Sequence, residues 1–430
     1  MLREEKTILW RTSATLLGLA LPAVLLGRGL MFGCLIASVL CGLLATKGAS
    51  LRGSMRLVLG SPFLWLGGCI LAAAVLSSAL GIAPEYSLRK TSELALAMLI
   101  TFGLFLTLRE MPGRHVQLVL ASVVSGAAGV AVLAFVDVFV DSDRFSAALH
   151  GMDKATSYYR LNYMSSMLAV LLPFVWAFYH KRVGEGAEVP KMTAPIVLPL
   201  TMAAVFVCGG RAGWLAVLAA LGVFLFMAGR YHHLNLHAKQ WLAMVGTVVL
   251  GMVAFVGAHG FDVLLNRLEM TGAEQARGIG GGRMAIWEHA WAHMADSPLT
   301  GIGVNAFRYL PGNVDAHPHN MTLQIGLELG AIGSILVVGL ALLLLRVMYK
   351  YGQGSIYGVA GLASVVAFIT AGQFNKSVFD LEWLACLMVV ALLGWRAGWS
   401  KPVSLADRAE VIHSLPRVAP KLAPKVAKKK

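Results

Sequence analysis

Charged residues are scarce in this chain, and acidic residues are the scarcer kind. Of its 430 residues, 13% are charged, 57% are hydrophobic, and the mean hydropathy is +0.71. An ordinary soluble domain carries about 25% charged residues. The apolar residues also cluster into runs of about 17–25, the length that crosses a bilayer as a helix. The composition therefore excludes an ordinary soluble domain and predicts a membrane protein with many spans.

Cysteine is scarce as well, and two common catalytic motifs are missing. The five cysteines lie inside apolar runs or at their ends, without the spacing of a metal pair or a disulfide framework. They are best interpreted as small core residues. The sequence contains neither a Gly-x-Ser-x-Gly elbow nor a His-Glu-x-x-His pair, which argues against a serine hydrolase or a zinc protease.

The apolar runs predict an all-α polytopic membrane protein with about twelve transmembrane helices and a large helical loop between the ninth and tenth, on the side opposite the termini. The first run is expected to be a retained span and not a cleaved signal peptide. Four segments follow: helices one to nine in 1–258, the loop in 259–319, helices ten to twelve in 320–400, and a basic disordered cytoplasmic tail in 401–430. The runs lie near 12–27, 30–46, 62–81, 92–108, 116–137, 162–179, 193–209, 212–229, 240–258, 320–345, 355–372 and 380–397.

The distribution of basic residues predicts the orientation. With twelve spans, 24 of the 36 Lys and Arg residues fall on the side of the termini and 12 on the other side. Loops rich in Lys and Arg stay in the cytoplasm, so both termini are expected there. The net charge of +14 is spread over short loops and the tail, which is expected to lie near anionic membrane lipids. Because no basic face interleaved with aromatics occurs, nucleic acid is not expected as a partner.

The segment from His317 to Gly333 carries the strongest candidate for chemistry. It runs from a polar, glycine-rich stretch into an apolar helix, so His319 would lie at the mouth of a membrane span. Histidine exchanges a proton near neutral pH and can act as a general base there. The alternative is that His319 and Asn320 only cap and solvate the start of the helix.

Two arginines stand at predicted helix starts on the outer side. Arg211 follows two glycines, and Arg283 follows a glycine-rich run and opens an amphipathic helix, suited to the membrane surface, that contains Trp287. A guanidinium at a helix N-terminus suits phosphate oxygens. Snorkelling toward lipid headgroups remains the alternative for Arg211, and a flexible hinge for the glycine run. The apolar stripe of this helix would comprise Ile286, Trp287, Ala290, Trp291 and Met294.

Further outward basic residues and two metal-like patterns complete the candidates. Arg160, Arg89 and Lys90 lie at outer helix mouths and are expected to contact phosphate or lipid headgroups. The Asp141-Ser-Asp143 and His317-x-His319 patterns are weak metal signals, because no third ligand has a fixed spacing. We therefore predict no catalytic metal.

Together these motifs resemble the O-antigen ligase family, within the wider group of ligases and polymerases that use polyprenyl-linked glycans. The resemblance covers nearly the whole chain before the tail. Its strongest signature is His319-Asn320, nine residues, then Gly330-x-x-Gly333. Gly210 departs from the family, whose members often have serine before the arginine. Further matches, in order, are Arg211 after Gly-Gly, Arg283 with Trp287, and Pro298, Gly301, Gly303 and Phe307.

The resemblance implies a metal-independent, inverting glycosyltransferase without a cofactor, in the inner membrane of a Gram-negative bacterium. It would join O-antigen polysaccharide, carried on undecaprenyl pyrophosphate, to a sugar hydroxyl of lipid A–core oligosaccharide at the periplasmic face. The large helical loop between the ninth and tenth helices would be a periplasmic loop. His319 would be the general base, and Arg211 and Arg283 would stabilise the pyrophosphate. Substrate contacts are expected from Arg160, Arg89, Lys90, Asn320, His317 and Trp287.

Several alternatives stay open. An O-antigen polymerase or a protein O-oligosaccharyltransferase of the same superfamily would share the donor and differ in the acceptor. A flippase for a polyprenyl-linked glycan would need charges through the depth of the membrane, whereas these lie at helix ends. A structural membrane protein without chemistry is hard to reconcile with a wetted histidine and outward arginines.

Overall fold

The computed structural model describes residues 3–24, 27–139, 154–184, 194–232, 283–313 and 315–399, with residues 246, 249, 251–253, 256–257 and 260. Within this part the chain is α-helical and contains no β-strand. Its helices are α1 (Arg3–Ala23), α2 (Arg28–Ala45), α3 (Gly48–Leu59), α4 (Pro62–Leu80), α5 (Pro84–Glu110), α6 (Gly113–Phe139), α7 (Lys154–Gly184), α8 (Ala194–Val207), α9 (Arg211–Tyr231), α10 (Arg283–Ala292), α11 (Met321–Gly354), α12 (Ile356–Gly372) and α13 (Leu381–Gly398).

The helices confirm a multi-pass membrane protein but not the count of twelve. Within the described residues, eight helices are long and apolar enough to cross a membrane: α2, α4, α5, α6, α7, α9, α11 and α13. The shorter α12 and the segment Ile196–Val207 of α8 are also apolar. Eleven of the twelve predicted runs overlap a described helix, whereas the ninth, near 240–258, lies mostly outside the described residues. The tail from 401 lies wholly outside them, and α3 occupies a stretch expected to be a loop.

Helix α3 forms where the sequence pattern showed only a short basic loop. Its inward side carries the buried Ser54 and Val58, four residues apart and therefore on one face of the helix. Ser54 and Ser50 both donate hydrogen bonds to the carboxylate of Glu110, at the end of α5. These bonds and the burial of Val58 hold a stretch that is too polar to be recognised as a span.

The centre of the bundle is built around α12, of which nearly every residue is buried. It packs against α7, α9, α11 and α13, while α1 packs against α2 and α6. A helix that is apolar all round, such as α12, belongs in a protein core or in a membrane. Helix α12 is thus the central helix on which α7, α9, α11 and α13 pack.

Helix α11 is interrupted at Gly330, and this break organises the segment before it. Gly330 has φ 62° and ψ −167°, values outside the helical region. The freed backbone pairs with the chain from Pro298 onward: the Ala331 N–H donates to the Pro298 carbonyl (2.9 Å) and the Ile332 N–H to the Leu299 carbonyl (3.2 Å). The glycines of the family-like pattern therefore have a structural purpose, namely to dock this segment on a helix.

Close backbone contact explains why glycine is needed on both sides of this junction. A Cβ atom at Gly330 would lie 2.4 Å from the carbonyl carbon of Leu299, and one at Gly301 (φ +77°) would lie 2.4 Å from that of Glu328. The Glu328 carboxylate, which is fully buried, accepts hydrogen bonds from the N–H groups of Asn305 (2.6 Å) and Phe307 (3.2 Å). The segment from 301 to 307, every residue of which is buried, is thus part of the packed core of the protein.

Candidate active site

The two histidines of the central motif lie on a tight turn directly before α11. His319 has a left-handed backbone (φ +51°), which is uncommon for a residue other than glycine and costs roughly 1–3 kcal/mol. Asn320 follows as the helix N-cap, with its side-chain oxygen accepting a hydrogen bond from the Leu323 N–H at 2.9 Å. Asn320 therefore caps the helix, as the alternative interpretation expected.

An acidic residue that the sequence did not point out sits against His319. The Nε2 atom of His319 is 3.2 Å from Oδ2 of Asp315, four residues earlier on the same turn. The imidazole ring of His317 packs edge-on against that of His319, with ring centroids 4.1 Å apart. The pairing of a histidine with a carboxylate is the arrangement that orients a general base and stabilises its charged form.

The pKa values of His317 and Asp315 are both lowered, by different causes. Burial lowers the pKa of His317 to about 3, and the charges of His319, Lys376 and Arg308 act in the same direction. The pKa of Asp315 is lowered because hydrogen bonding to His319, the charge of His319 and the Ala316 N–H outweigh the opposing effect of burial. His317 is therefore neutral and Asp315 ionised near pH 7.

Trp287 connects this turn to the helix that begins at Arg283. Its indole N–H donates to the carbonyl of Pro318 at 2.9 Å, between the two histidines. Arg283 is the first residue of α10, one turn before Trp287, and its side chain is half-buried. Residues four apart lie on the same face of a helix. Trp287 thus ties the face of α10 that carries Arg283 to the histidine turn.

The predicted apolar stripe of α10 is divided between two faces. Ala290 is buried, and Ile286 and Met294 pack beside it against a small core that includes Phe307. Trp291, in contrast, is 70% exposed. The helix therefore packs on the protein through the face that carries Ala290, and the face that carries Trp291 is exposed.

Arg211 begins α9, and a relay of side chains links this position to the histidine turn. A Cβ atom at Gly210 would lie 2.6 Å from Oδ1 of Asn162 on α7, so the backbone before Arg211 touches that residue. The Asn162 side-chain amide donates to Oδ1 of Asn375 at 3.3 Å. Asn375 belongs to the loop between α12 and α13.

That same loop is bonded to the first turn of α11. Thr322 Oγ1 donates to Gln373 Oε1 (3.0 Å), and Gln324 Nε2 donates to Ser377 Oγ (3.0 Å). Because α11 starts two residues after His319, these contacts place Arg211 and His319 at the same end of the bundle. The Trp287 hydrogen bond adds Arg283 to this end, which we call the histidine end.

Lys376 is a residue that the sequence pattern did not single out. Only 8% of it is exposed, and its Nζ lies 4.1 Å from the centroid of the Tyr163 ring. Among the described residues no carboxylate lies within 4.0 Å of this nitrogen. Burial lowers the pKa of Lys376 to about 8 against the opposing charges of Asp380 and Glu382. The sequence carries no signal for it, since a lysine in a loop between two apolar runs is ordinary and its burial depends on how the helices pack.

The remaining predicted cations have different surroundings. Lys90 forms an ion pair with Glu93 at 2.8 Å, so its charge is already balanced. The Arg89 guanidinium lies 5.3 Å from the centroid of the Tyr86 ring, and Arg308 lies over the same ring. The backbone of Arg160 is in α7, but its side chain lies outside the described residues.

The metal patterns have different outcomes. Asp141 and Asp143 lie outside the described residues. For the His317-x-His319 pattern the structure adds a third possible ligand, Asp315, which the sequence did not reveal. One side-chain ligand atom from each of Asp315, His317 and His319 lies within 4.8 Å of the others. Carboxylate and imidazole are both ligands of divalent transition metals.

Comparison with known proteins gives two matches. A family model described as O-Antigen ligase matches residues 196–338, about a third of the chain. A protein of Rickettsia bellii named "Putative polysaccharide ligase" is 26% identical over 125 residues, which cover 26% of this chain and 30% of that protein. The chain therefore matches less than a third of the length of this relative. The matched family region contains Arg211, Arg283 and His319, and it confirms the resemblance to the O-antigen ligase family that the motifs indicated.

Proposed function

We propose that this protein is a membrane glycosyltransferase that moves a polysaccharide from a lipid pyrophosphate to a sugar hydroxyl. The observation that carries the proposal is the His319–Asp315 pair, at the same end of the bundle as Arg211 and Arg283. All of these residues fall inside the region that matches the O-antigen ligase family. The donor would be O-antigen on undecaprenyl pyrophosphate, and the acceptor would be lipid A–core oligosaccharide.

His319 serves as the general base in this proposal. The acceptor hydroxyl gives its proton to the imidazole while its oxygen attacks the anomeric carbon of the donor sugar. Nε2 of His319 faces Asp315, and the ring nitrogen that carries no proton is the one that accepts the hydroxyl proton. Asp315 then stabilises the imidazolium by its negative charge. Attack on the side opposite the leaving group inverts the anomeric carbon and requires no metal.

Cations at the histidine end stabilise the leaving group. As the bond between the sugar and the pyrophosphate breaks, negative charge develops on the pyrophosphate oxygens. Arg211 and Arg283 can each bind such oxygens with two N–H groups, and both stand at helix N-termini, whose dipoles favour an anion. Lys376, a buried cation beside the relay, contributes a third positive charge.

The proposed setting is the inner membrane of a Gram-negative bacterium, with both termini in the cytoplasm and the histidine end facing the periplasm. The bias of basic residues toward the terminal side supports this orientation. The lipid parts of both substrates would then stay in the bilayer while their sugars meet at the helix ends.

The test is transfer by purified protein in liposomes with lipid-linked O-antigen and lipid A–core. We expect Arg211→Ala and Arg283→Ala each to lower the rate by about 10²–10³-fold, the usual cost of removing one charge-stabilising group. His319→Ala should lower it by about 10²–10⁴-fold, the usual contribution of a general base. The chain offers matched controls. His293 pairs with Asp296 at 2.8 Å on the surface, and Arg230 lies at the far end of the helix that Arg211 begins.

Rates near wild type for His293→Ala and Arg230→Ala would make the losses specific to the site. An active His319→Ala protein would refute the base, and two active arginine variants would refute the pyrophosphate site. Supplying a second lipid-linked O-antigen or an acceptor protein in place of lipid A–core separates a polymerase or a protein glycosyltransferase from a ligase. Movement of donor lipid across the bilayer without product would identify a flippase.

A further inference from the structure

The turn before α11 presents three metal-binding side chains in the pattern Asp315-x-His317-x-His319. Their side-chain ligand atoms lie within 4.8 Å of one another, although the residues alternate with Ala316 and Pro318. Around a zinc ion with bonds of about 2.0–2.2 Å, the ligand atoms must approach somewhat more closely, which a shift of about an ångström achieves. The site is therefore nearly assembled in the protein as it stands.

Hydrogen bonds hold this turn in the geometry of a binding site. Oδ1 of Asp315 accepts the Ala316 N–H at 2.7 Å, which leaves Oδ2 to face His319. Asn313 braces the same residue, accepting its N–H at 3.2 Å and donating to its carbonyl. The Trp287 indole holds Pro318 from the other side. Side chains fixed in this way lose little further entropy when a ligand binds.

Both imidazoles also carry a buried nitrogen that has no hydrogen-bond partner within the described residues. These atoms are Nδ1 of His317 and Nδ1 of His319. A buried polar atom without a partner costs about 1–3 kcal/mol. A bound cation would supply the missing electrostatic partner at the site.

We propose that Asp315, His317 and His319 form a zinc-binding site, and that bound zinc inhibits the transfer reaction. Two imidazole nitrogens and one carboxylate oxygen suit zinc and its neighbours in the transition series, whereas magnesium and calcium prefer oxygen ligands alone. Three protein ligands leave a fourth position for water, a common form of zinc site.

The inhibitory half of the inference rests on the proposed function, because it assumes that His319 is the base. A metal ion occupies a lone pair of the imidazole, and a histidine so occupied cannot accept a proton from a hydroxyl. The zinc ion would also add two positive charges beside His319, which changes the electrostatic potential where the pyrophosphate binds. The binding half does not depend on any reaction.

The binding experiment uses full-length protein in detergent, freed of any polyhistidine tag, with zinc measured by calorimetry and cobalt by its visible absorption. We expect one zinc-binding event that is weakened at least 10-fold in His317→Gln and in Asp315→Asn. His293→Ala is the matched control. His293 also has a carboxylate partner, Asp296, and a neighbouring histidine, His289, whose ring lies 4.8 Å away. Among the described residues, however, these three do not form a metal-ligand cluster, so the variant should bind zinc as the wild type does.

The inhibition experiment titrates zinc into the liposome transfer assay. Zinc at one hundred times its dissociation constant should lower the rate about 100-fold, and EDTA should restore it. Equal zinc affinity in wild type, His317→Gln and Asp315→Asn, or no binding at all, would overturn the site. Binding without inhibition would overturn the regulatory half. An active His319→Ala protein that has lost the zinc site would instead refute His319 as the base.

Discussion

Gly330→Ala should detach the segment that begins at Pro298 from helix α11. An alanine at φ 62°, ψ −167° sits in a region almost confined to glycine, at a cost of roughly 1–3 kcal/mol. Its Cβ would lie 2.4 Å from the Leu299 carbonyl carbon, so the segment around Leu299 must move away from α11. The two backbone hydrogen bonds beside it contribute about 0.5–1.5 kcal/mol each. The expected loss is therefore about 2–6 kcal/mol.

Thermal unfolding of the detergent-solubilised protein measures this loss, and the same preparation is tested for transfer. Gly339→Ala is the control, because Gly339 lies in the same helix and nothing is within 4 Å of the added methyl group. We expect Gly339→Ala to unfold at or above the wild-type temperature, since alanine favours a helix over glycine by about 1 kcal/mol. If Gly330→Ala matched Gly339→Ala in both assays, the docking role of the break in α11 would be refuted.

Three further predictions concern the site. Trp287→Phe removes the N–H that bonds to the Pro318 carbonyl and should slow transfer about 10-fold, which corresponds to about 1.4 kcal/mol. Trp291→Phe, on the exposed face of the same helix, should leave the rate unchanged. Equal rates in the two variants would show that the Trp287 hydrogen bond does not position the histidine turn. Lys376→Gln should slow transfer about 10²-fold if Lys376 stabilises the pyrophosphate, and Lys376→Arg should recover part of the rate; unchanged single-turnover kinetics in Lys376→Gln would remove it from the site. Because the pKa of His317 is about 3 when folded and near 6.5 when unfolded, the unfolded chain binds the extra proton between these values, so stability falls as pH drops below about 6.5. Melting at pH 5 and pH 7.5 should show a loss of up to about 2 kcal/mol at pH 5 that shrinks in His317→Gln, and an equal loss in both proteins would contradict this cause.

The sequence predicted the membrane spans because hydrocarbon imposes a simple rule on length and polarity. It could not predict α3, whose stability comes from contacts with the end of α5 and not from its own composition. It also could not show the break at Gly330, since glycine is tolerated within membrane helices for several reasons. The left-handed conformation there depends on the approach of a segment thirty residues away along the chain.

The sequence singled out His319, Arg211 and Arg283 by residue type, and the structure places them at or just before helix starts; their roles in the reaction stay predictions. The sequence missed Asp315, because the contact of Asp315 with His319 depends on how the turn folds. It missed the importance of Lys376 for the same reason, since its burial follows from the packing of α7 and α12. Trp287 was expected to contact substrate, but its indole N–H is used within the protein, and its role as a substrate contact stays a prediction.

The proposed function requires that His319, Arg211 and Arg283 act together on one pyrophosphate. An electron cryo-microscopy structure with a non-transferable phosphonate analogue of the lipid-linked donor would show whether they do. We expect diphosphate density within hydrogen-bonding distance, about 3 Å, of both guanidiniums, with the anomeric carbon facing His319. Density bound elsewhere, or held by neither arginine, would contradict it.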